Sequence, residues 1–186
     1  MNRLSRLIAG LAALLLASAI PGVVSAQDGS GRLTGIKLSG DEPIQIESDR
    51  LEVRDNERKA IFTGNVSVVQ GKTLLKSGRM VVHYASDGGS VSTGSSSIER
   101  LEVDGKVYVK SEAQVATGDS GTFDMKTETL VLSGDKVVLS EGDNVIVGCK
   151  LTVQMKTGMA HFDGCDGKTR DSGRIIMQIT PKNKTN

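Results

Sequence analysis

The residue types that most often carry out chemistry are sparse in this chain of 186 residues, which has two histidines and two cysteines. His83 and His161 are both out of phase with the apolar residues that alternate around them, so on an extended strand each would face solvent. The sequence contains no nucleophile elbow, no phosphate-binding glycine loop and no closely spaced acid pair on a loop. We therefore expect no catalytic residue, no cofactor and no enzyme activity.

The two cysteines could bind a metal or form a disulfide. His161 lies four residues before Cys165, but zinc sites use four ligands with paired short spacings, and here one ligand would be missing. Cys149 and Cys165 each follow a glycine, and an even number of cysteines in an exported protein usually indicates a disulfide. We expect no metal and a Cys149–Cys165 disulfide, with two reduced, buried thiols as the alternative.

The N-terminus has the pattern of a secretory signal. Two arginines within the first six residues precede a long apolar run, and Val24-Ser25-Ala26 forms a small-residue cleavage site. Pro21-Gly22 breaks the run, which argues against a permanent membrane anchor. We interpret residues 1–26 as a cleaved signal peptide. Its removal lowers the formal net charge from +1 to −1, and near-neutral, interleaved charge argues against a nucleic-acid surface, which requires clustered Lys and Arg.

One repeated pattern organises the rest of the chain. In residues 60–68, the side chains at 60, 62, 66 and 68 are apolar and two apart around Gly64, and this spacing returns around a glycine at 101–109, 130–137 and, shortened, at 160–164. An alternation of period two gives an extended strand one apolar face. The third copy has one extra residue before its valine, which predicts a β-bulge. Units of roughly 30 residues that cannot bury this face alone need neighbours, so we predict an all-β array of such repeats.

Prolines bracket the repeats. No proline lies between Pro43 and Pro181, and because proline cannot donate to a β ladder, this span fits one continuous sheet system. We expect a flexible segment at 27–42, a β domain at 43–181 and a disordered tail at 182–186. Both ends of the array carry apolar rather than polar residues, so we expect them to pair with another chain. The residues expected at these edges are Ile44, Ile46, Ile175, Ile176 and Ile179.

The apolar face is the remaining candidate site, and it could be either an ordinary sandwich core or a binding groove. Aromatic residues make up only 3% of the chain, so the interior is aliphatic and flexible, which suits acyl chains as well as close packing. The candidate groove residues are Phe62, Val66, Val68, Met80, Val82, Val107, Val109, Phe123, Leu132, Val153 and Met155.

The stretch from Asp41 to Val53, followed by Phe-Thr-Gly-Asn-Val at 62–66, resembles the opening of the LptA/OstA-like N-terminal domain family. The resemblance covers about residues 41 to 180. It implies a twisted β-jellyroll of stacked antiparallel strands, open along one side, whose apolar interior holds the acyl chains of lipopolysaccharide (its lipid A part). It also implies a soluble periplasmic protein that assembles head to tail. Such an assembly bridges an inner-membrane Lpt extraction complex and an outer-membrane Lpt translocon.

Other interpretations remain. A membrane-anchored relative in the same pathway would keep its N-terminal helix, whereas the expected cleavable signal favours the soluble bridge. A structural envelope repeat protein with a filled core would show the same periodicity. The sequence departs from the familiar family pattern in its cysteine pair and in a Ser/Gly-rich insertion at 86–97.

Overall fold

The computed structural model describes residues 42–86, 89, 91–92, 97–165 and 173–181. The expected signal peptide, nearly all of the expected flexible segment and the tail lie outside the described residues. No helix in the described ranges is long and apolar enough to cross a membrane. The described secondary structure is a short 3-10 turn at Asp55–Glu57 and ten strands: β1 (Gln45–Glu47), β2 (Arg50–Arg54), β3 (Lys59–Gln70), β4 (Thr73–Tyr84), β5 (Ile98–Ser111), β6 (Gln114–Asp124), β7 (Thr129–Glu141), β8 (Asn144–Gln154), β9 (Met159–Asp163) and β10 (Ile176–Gln178).

All ten strands belong to one antiparallel sheet. The order of neighbours is β1-β3-β4-β5-β6-β7-β8-β10, while β2 pairs with the remaining half of β3 and β9 with the remaining half of β8. The six long strands β3 to β8 are therefore flanked at each edge by two short strands placed end to end. We call the half of the sheet that carries β2 and β9 the lower half, and the half that carries β1 and β10 the upper half.

A bulge separates the two halves on the repeat strands. On β3, Gly64-Asn65 faces a single residue of β4, Gly78. Gly64 and Asn65 both have positive φ, 81° and 45°, a backbone conformation that glycine adopts without a steric penalty. A Cβ added to Gly64 would also collide with the side chain of Asp49. The glycine of the repeat is therefore needed for both its conformation and its small size.

The third repeat has a larger bulge. Three residues of β7, at 134–136, lie opposite a single residue of β8, Cys149. This is one residue more than in the bulge of β3, where two residues face one. The β-bulge predicted from the extra residue is confirmed.

The core lies between the two halves of the sheet. Lower-half residues such as Met80 and Leu151 and upper-half residues such as Val66 and Val109 belong to one buried cluster, and Met80 and Leu151 are 0% exposed. Side chains on an uncovered sheet face would remain exposed, so complete burial means that the two halves pack against each other. The prediction of an all-β jellyroll of antiparallel strands is confirmed.

The two rims of the core are closed differently. At the upper rim, Gln70, Thr73, Ser111 and Gln114 form a buried polar row across the hairpin ends, and the Thr73 and Ser111 hydroxyls lie 3.0 Å apart. At the lower rim, Val91 from the Ser/Gly-rich insertion is buried in the core cluster. Its backbone N–H donates to the Asp55 carboxylate at 3.1 Å. The insertion therefore contributes a core residue.

Candidate functional site

Ten of the eleven candidate groove residues share one face of the sheet, as their period-two spacing predicts, and the eleventh, Met155, lies in the turn directly after β8. Nine of them are at most 2% exposed, and the other two, Phe62 and Met155, are half-buried against the same cluster. The inward face is packed on itself, so a ligand that uses it must enter between the two halves. Close packing of this face is also what a filled structural core would have.

The inward residues form rows that cross the whole sheet in register. One lower-half row starts on β2 and ends on β9, and the main upper-half row starts on β1 and ends on β10. The lower row is Leu51, Phe62, Met80, Val103, Gly121, Leu132, Leu151 and Phe162. The upper row is Ile46, Val68, Leu75, Val109, Ala116, Leu139, Ile146 and Met177.

These apolar rows reach solvent at the edges of the sheet. Leu51 on β2 is 54% exposed and Met177 on β10 is 60% exposed, although their neighbours in the row are buried or half-buried. The lower row therefore ends in an exposed apolar side chain at the β2 edge and the upper row in one at the β10 edge, while their opposite ends, Phe162 and Ile46, are partly buried.

The structure places the predicted edge residues on these same edges and adds a second strand to each. Ile175, Ile176 and Ile179 are 45–63% exposed, whereas Ile44 and Ile46 pack partly against the core. The sequence analysis identified one terminal strand at each end, near 44–46 and 175–179. On the second strand of each edge, the exposed apolar residues that it did not identify are Leu51, Val53 and Met159. The alternation of Leu51 and Val53 is the signal that could have identified β2.

At each edge, the chain between or after the short strands is bonded to the neighbouring long strand. Between β1 and β2, the backbone N–H of Asp49 donates to the carbonyl of Gly64 at 2.9 Å, and Asn65 donates to the Asp49 carboxylate. After β9, Cys165 is bonded to Cys149 of β8, with Cα atoms 5.0 Å apart. The predicted disulfide is confirmed.

The two histidines lie on the outer face. His83 Nε2 is 3.2 Å from a Glu102 carboxylate oxygen, and the exposed His161 has its Nε2 3.1 Å from Asp163. Within the described part of the chain, no three side chains of His, Cys, Asp or Glu are arranged to hold a metal ion. Beside the core, burial raises the pKa of the Tyr84 phenol above its ordinary value. His161 is therefore an exposed polar contact, whereas His83 is half-buried: its Nε2 atom is buried and lies near Glu102 without forming a hydrogen bond.

Two related sequences cover most of this chain. An uncharacterized protein of Rhizobium meliloti (strain 1021) is 53% identical over 180 residues, which is 96% of this chain and 91% of that protein. The lipopolysaccharide export system protein LptH of Pseudomonas aeruginosa is 25% identical over 158 residues, which is 84% of this chain and 89% of that protein.

A solved structure and a family profile complete the comparison. The fold is similar to the crystal structure of LptH, described as the LptA homologous periplasmic component of the conserved lipopolysaccharide transport device from Pseudomonas aeruginosa. The TM-score is 0.63 at 20% identity, over 77% of this chain and 99% of that chain. The profile of the family described as LptA/(LptD N-terminal domain) LPS transport protein matches residues 45–159, from β1 through β8 and more than half of the chain. The chain therefore belongs to the LptA/LptD N-terminal domain family of lipopolysaccharide transport proteins.

Proposed function

We propose that this protein is a periplasmic carrier of lipopolysaccharide that shields the acyl chains of lipid A on its inward apolar face and bridges the inner and outer membranes. The family is a transport family, and the proposed role is binding and transfer rather than catalysis. The observation that carries the proposal is the set of apolar rows that cross the sheet and emerge at both edges.

The inward face has the chemistry that an acyl chain requires. Its side chains are mainly Val, Leu, Met and Phe, and each methylene that moves from water to such a surface contributes about 0.8 kcal/mol. Eight strands spaced about 4.8 Å apart make each row on the order of 30 Å long. A chain that entered between the two halves could therefore remain shielded along the row and leave at the far edge.

The proposed location and partners follow from the family and from the expected signal peptide. The Pseudomonas relative LptH is described as a periplasmic component, and a cleaved signal would release this chain in the periplasm. There it would receive lipid from an inner-membrane Lpt extraction complex and pass it to an outer-membrane Lpt translocon. One domain with rows of about 30 Å needs copies in series to cover a longer distance.

The two edges match each other in a way that supports head-to-tail assembly. In the upper half, β1 and β10 each have three residues, and in the lower half, β2 and β9 each have five. Six strands of alternating direction separate the edges, so β10 runs antiparallel to β1 and β9 runs antiparallel to β2. A second copy placed edge to edge would continue the antiparallel order in both halves.

The register of such a joint follows from the rows. Continuing the lower row places Phe162 beside Leu51 of the next copy, and continuing the upper row places Met177 beside Ile46 of the next copy. On the outer face the same register sets Asp163 opposite Arg50 of the next copy. Apolar rows would become continuous and opposite charges would meet, which favours this register over a shifted one.

Photo-crosslinking tests the lipid-binding face. A photoreactive phenylalanine analogue at Phe62 or Phe123 should capture lipopolysaccharide in the envelope, because both rings lie on the inward face. The matched control is the same analogue at Tyr108, an aromatic residue in the same sheet whose strand position faces outward. Equal capture from inward and outward positions would contradict a ligand-facing side.

The structural repeat protein with a filled core is the second candidate, and the close packing of the inward face favours it. If it is correct, none of the three photoreactive positions captures lipid, and lipopolysaccharide is absent by mass spectrometry from protein purified out of an envelope extract. The intact mass of the mature protein distinguishes the soluble carrier from a membrane-anchored relative, since only the carrier would lack residues 1–26.

A further inference from the structure

The disulfide lies where β8 changes its partner. Residues 145–147 of β8 pair with β10, and residues 150–154 pair with β9. Cys149 stands between these two segments, and Cys165 follows the last residue of β9, Asp163, by two positions. The bond therefore joins the middle of β8 to the start of the connection from β9 to β10.

The disulfide packs against the bulge of β7. Both sulfurs face the carbonyl oxygen of Asp135 in the β7 bulge, at 3.1 Å from Cys149 and 3.8 Å from Cys165. The backbone N–H of Asp135 in turn donates to the Asp119 carboxylate at 2.9 Å. A Cβ added to Gly164 would collide with the carbonyl of Gly173, so the chain leaves and returns beside the bond.

The two strands that the disulfide fastens are otherwise weakly held. On β10, all three residues are exposed, with Ile176 at 63%, and on β9 the first three residues are exposed. None of their residues belongs to the fully buried core, and a hydrogen bond from the Thr180 N–H to Asn144 is a further tie beyond β10. Short strands with few buried contacts open easily, so a covalent bond at their junction has a large effect on how often they separate from β8.

We propose that the Cys149–Cys165 disulfide is a redox-sensitive staple that holds β9 and β10 on β8 and thereby maintains the two-strand C-terminal docking edge. The docking role of this edge rests on the proposed function. Reduction requires a dithiol: two electrons and two protons convert the bond to two thiols, while the dithiol becomes a cyclic disulfide. Without the bond, β9 and β10 separate from β8 more often. β8 then becomes the edge strand, and its one continuous edge does not match the three-residue β1 and the five-residue β2.

Hydrogen exchange measured by mass spectrometry tests the staple directly. The full mature protein is compared in its oxidised form, after dithiothreitol, and as the Cys149→Ser/Cys165→Ser double variant. We expect exchange in residues 144–154 to rise by on the order of 100-fold in both reduced and double-variant protein, while exchange in β5 stays as it was. Dithiothreitol should change nothing in the double variant, which controls for the reagent.

Three outcomes are informative. Unchanged exchange at 144–154 after reduction overturns the proposal, and so does an equal rise in β5, because the bond would then stabilise the whole domain rather than one edge. A rise confined to the edge, accompanied by loss of self-association in light scattering, supports it. A rise confined to the edge with self-association intact also supports the staple, but it contradicts the docking role of the edge in the proposed function.

Discussion

Asn65 donates a hydrogen bond from its side-chain Nδ2 to the carboxylate of Asp49 at 2.8 Å, and this contact occupies the same place at one edge of the sheet as the disulfide does at the other. Asp49 lies in the break between β1 and β2, and Cys165 follows the end of β9. Asp49 contacts the bulge of β3, and Cys165 is bonded to Cys149 of β8, which lies opposite the bulge of β7. The N-terminal edge is held by hydrogen bonds and the C-terminal edge by a covalent bond, so the two edges differ in how easily they open.

Substitution of Gly64 by alanine tests the contact between this bulge and Asp49. The added Cβ would collide with the Asp49 side chain at φ +81°, whereas Gly142 has φ +58° and nothing within 4 Å of its Cβ position. Gly142→Ala should therefore cost only the left-handed backbone penalty, about 1 kcal/mol. We expect Gly64→Ala to lower the free energy of unfolding by roughly 2 kcal/mol more than the control, as measured by urea denaturation. Equal losses would show that Asp49 moves aside without cost.

Alternating residues were sufficient to predict which side chains share a face, but their burial depends on contacts that are distant in sequence. Met80 and Val82 were identified from their spacing, yet their complete burial requires the upper half of the sheet to pack over them. Val91 was not identified, because its place in the core depends on a hydrogen bond to Asp55, 36 residues earlier. The exposure of Leu51 follows from its position on the last strand of the sheet, which is a property of topology rather than of local pattern.

The buried polar row at the upper rim should act as a coupled unit. Thr73 and Ser111 are both buried, and their hydroxyls lie 3.0 Å apart. Thr73→Val should lower the free energy of unfolding by about 1–2 kcal/mol, because a buried polar group loses a partner. The Thr73→Val/Ser111→Ala double variant should lose less than the sum of the two single variants, by about 1 kcal/mol in a double-mutant cycle. Strict additivity would mean that the two hydroxyls do not interact.

Asp124 gives a prediction about pH. The backbone N–H of Thr127 at 2.7 Å, with its hydroxyl at 2.9 Å, stabilises the charged carboxylate and holds the pKa of Asp124 below its ordinary value. A lowered folded-state pKa gives stability that is present above the unfolded pKa of about 3.9 and is lost as pH falls through the folded pKa. The difference in unfolding free energy between wild type and Asp124→Ala should therefore be constant from about pH 5 upward and shrink below about pH 4. A difference independent of pH down to about 2 would contradict this assignment.

The charge pair at the proposed joint provides the sharpest test of head-to-tail assembly, because its residues are far apart within one molecule. Arg50 lies on β2 at one edge and Asp163 on β9 at the other, and the continued register would set them opposite each other only between copies. Arg50→Asp or Asp163→Arg should each weaken self-association several-fold, since a like-charge contact replaces an attractive pair. The combination of both changes in one chain should restore association, because each joint regains opposite charges.

Sedimentation velocity across a concentration series measures the effect. The control for a charge change away from both edges is Lys126→Asp, on the exposed turn between β6 and β7. Restoration by the double variant would fix the register, whereas independent effects of the two changes would show that these residues do not meet.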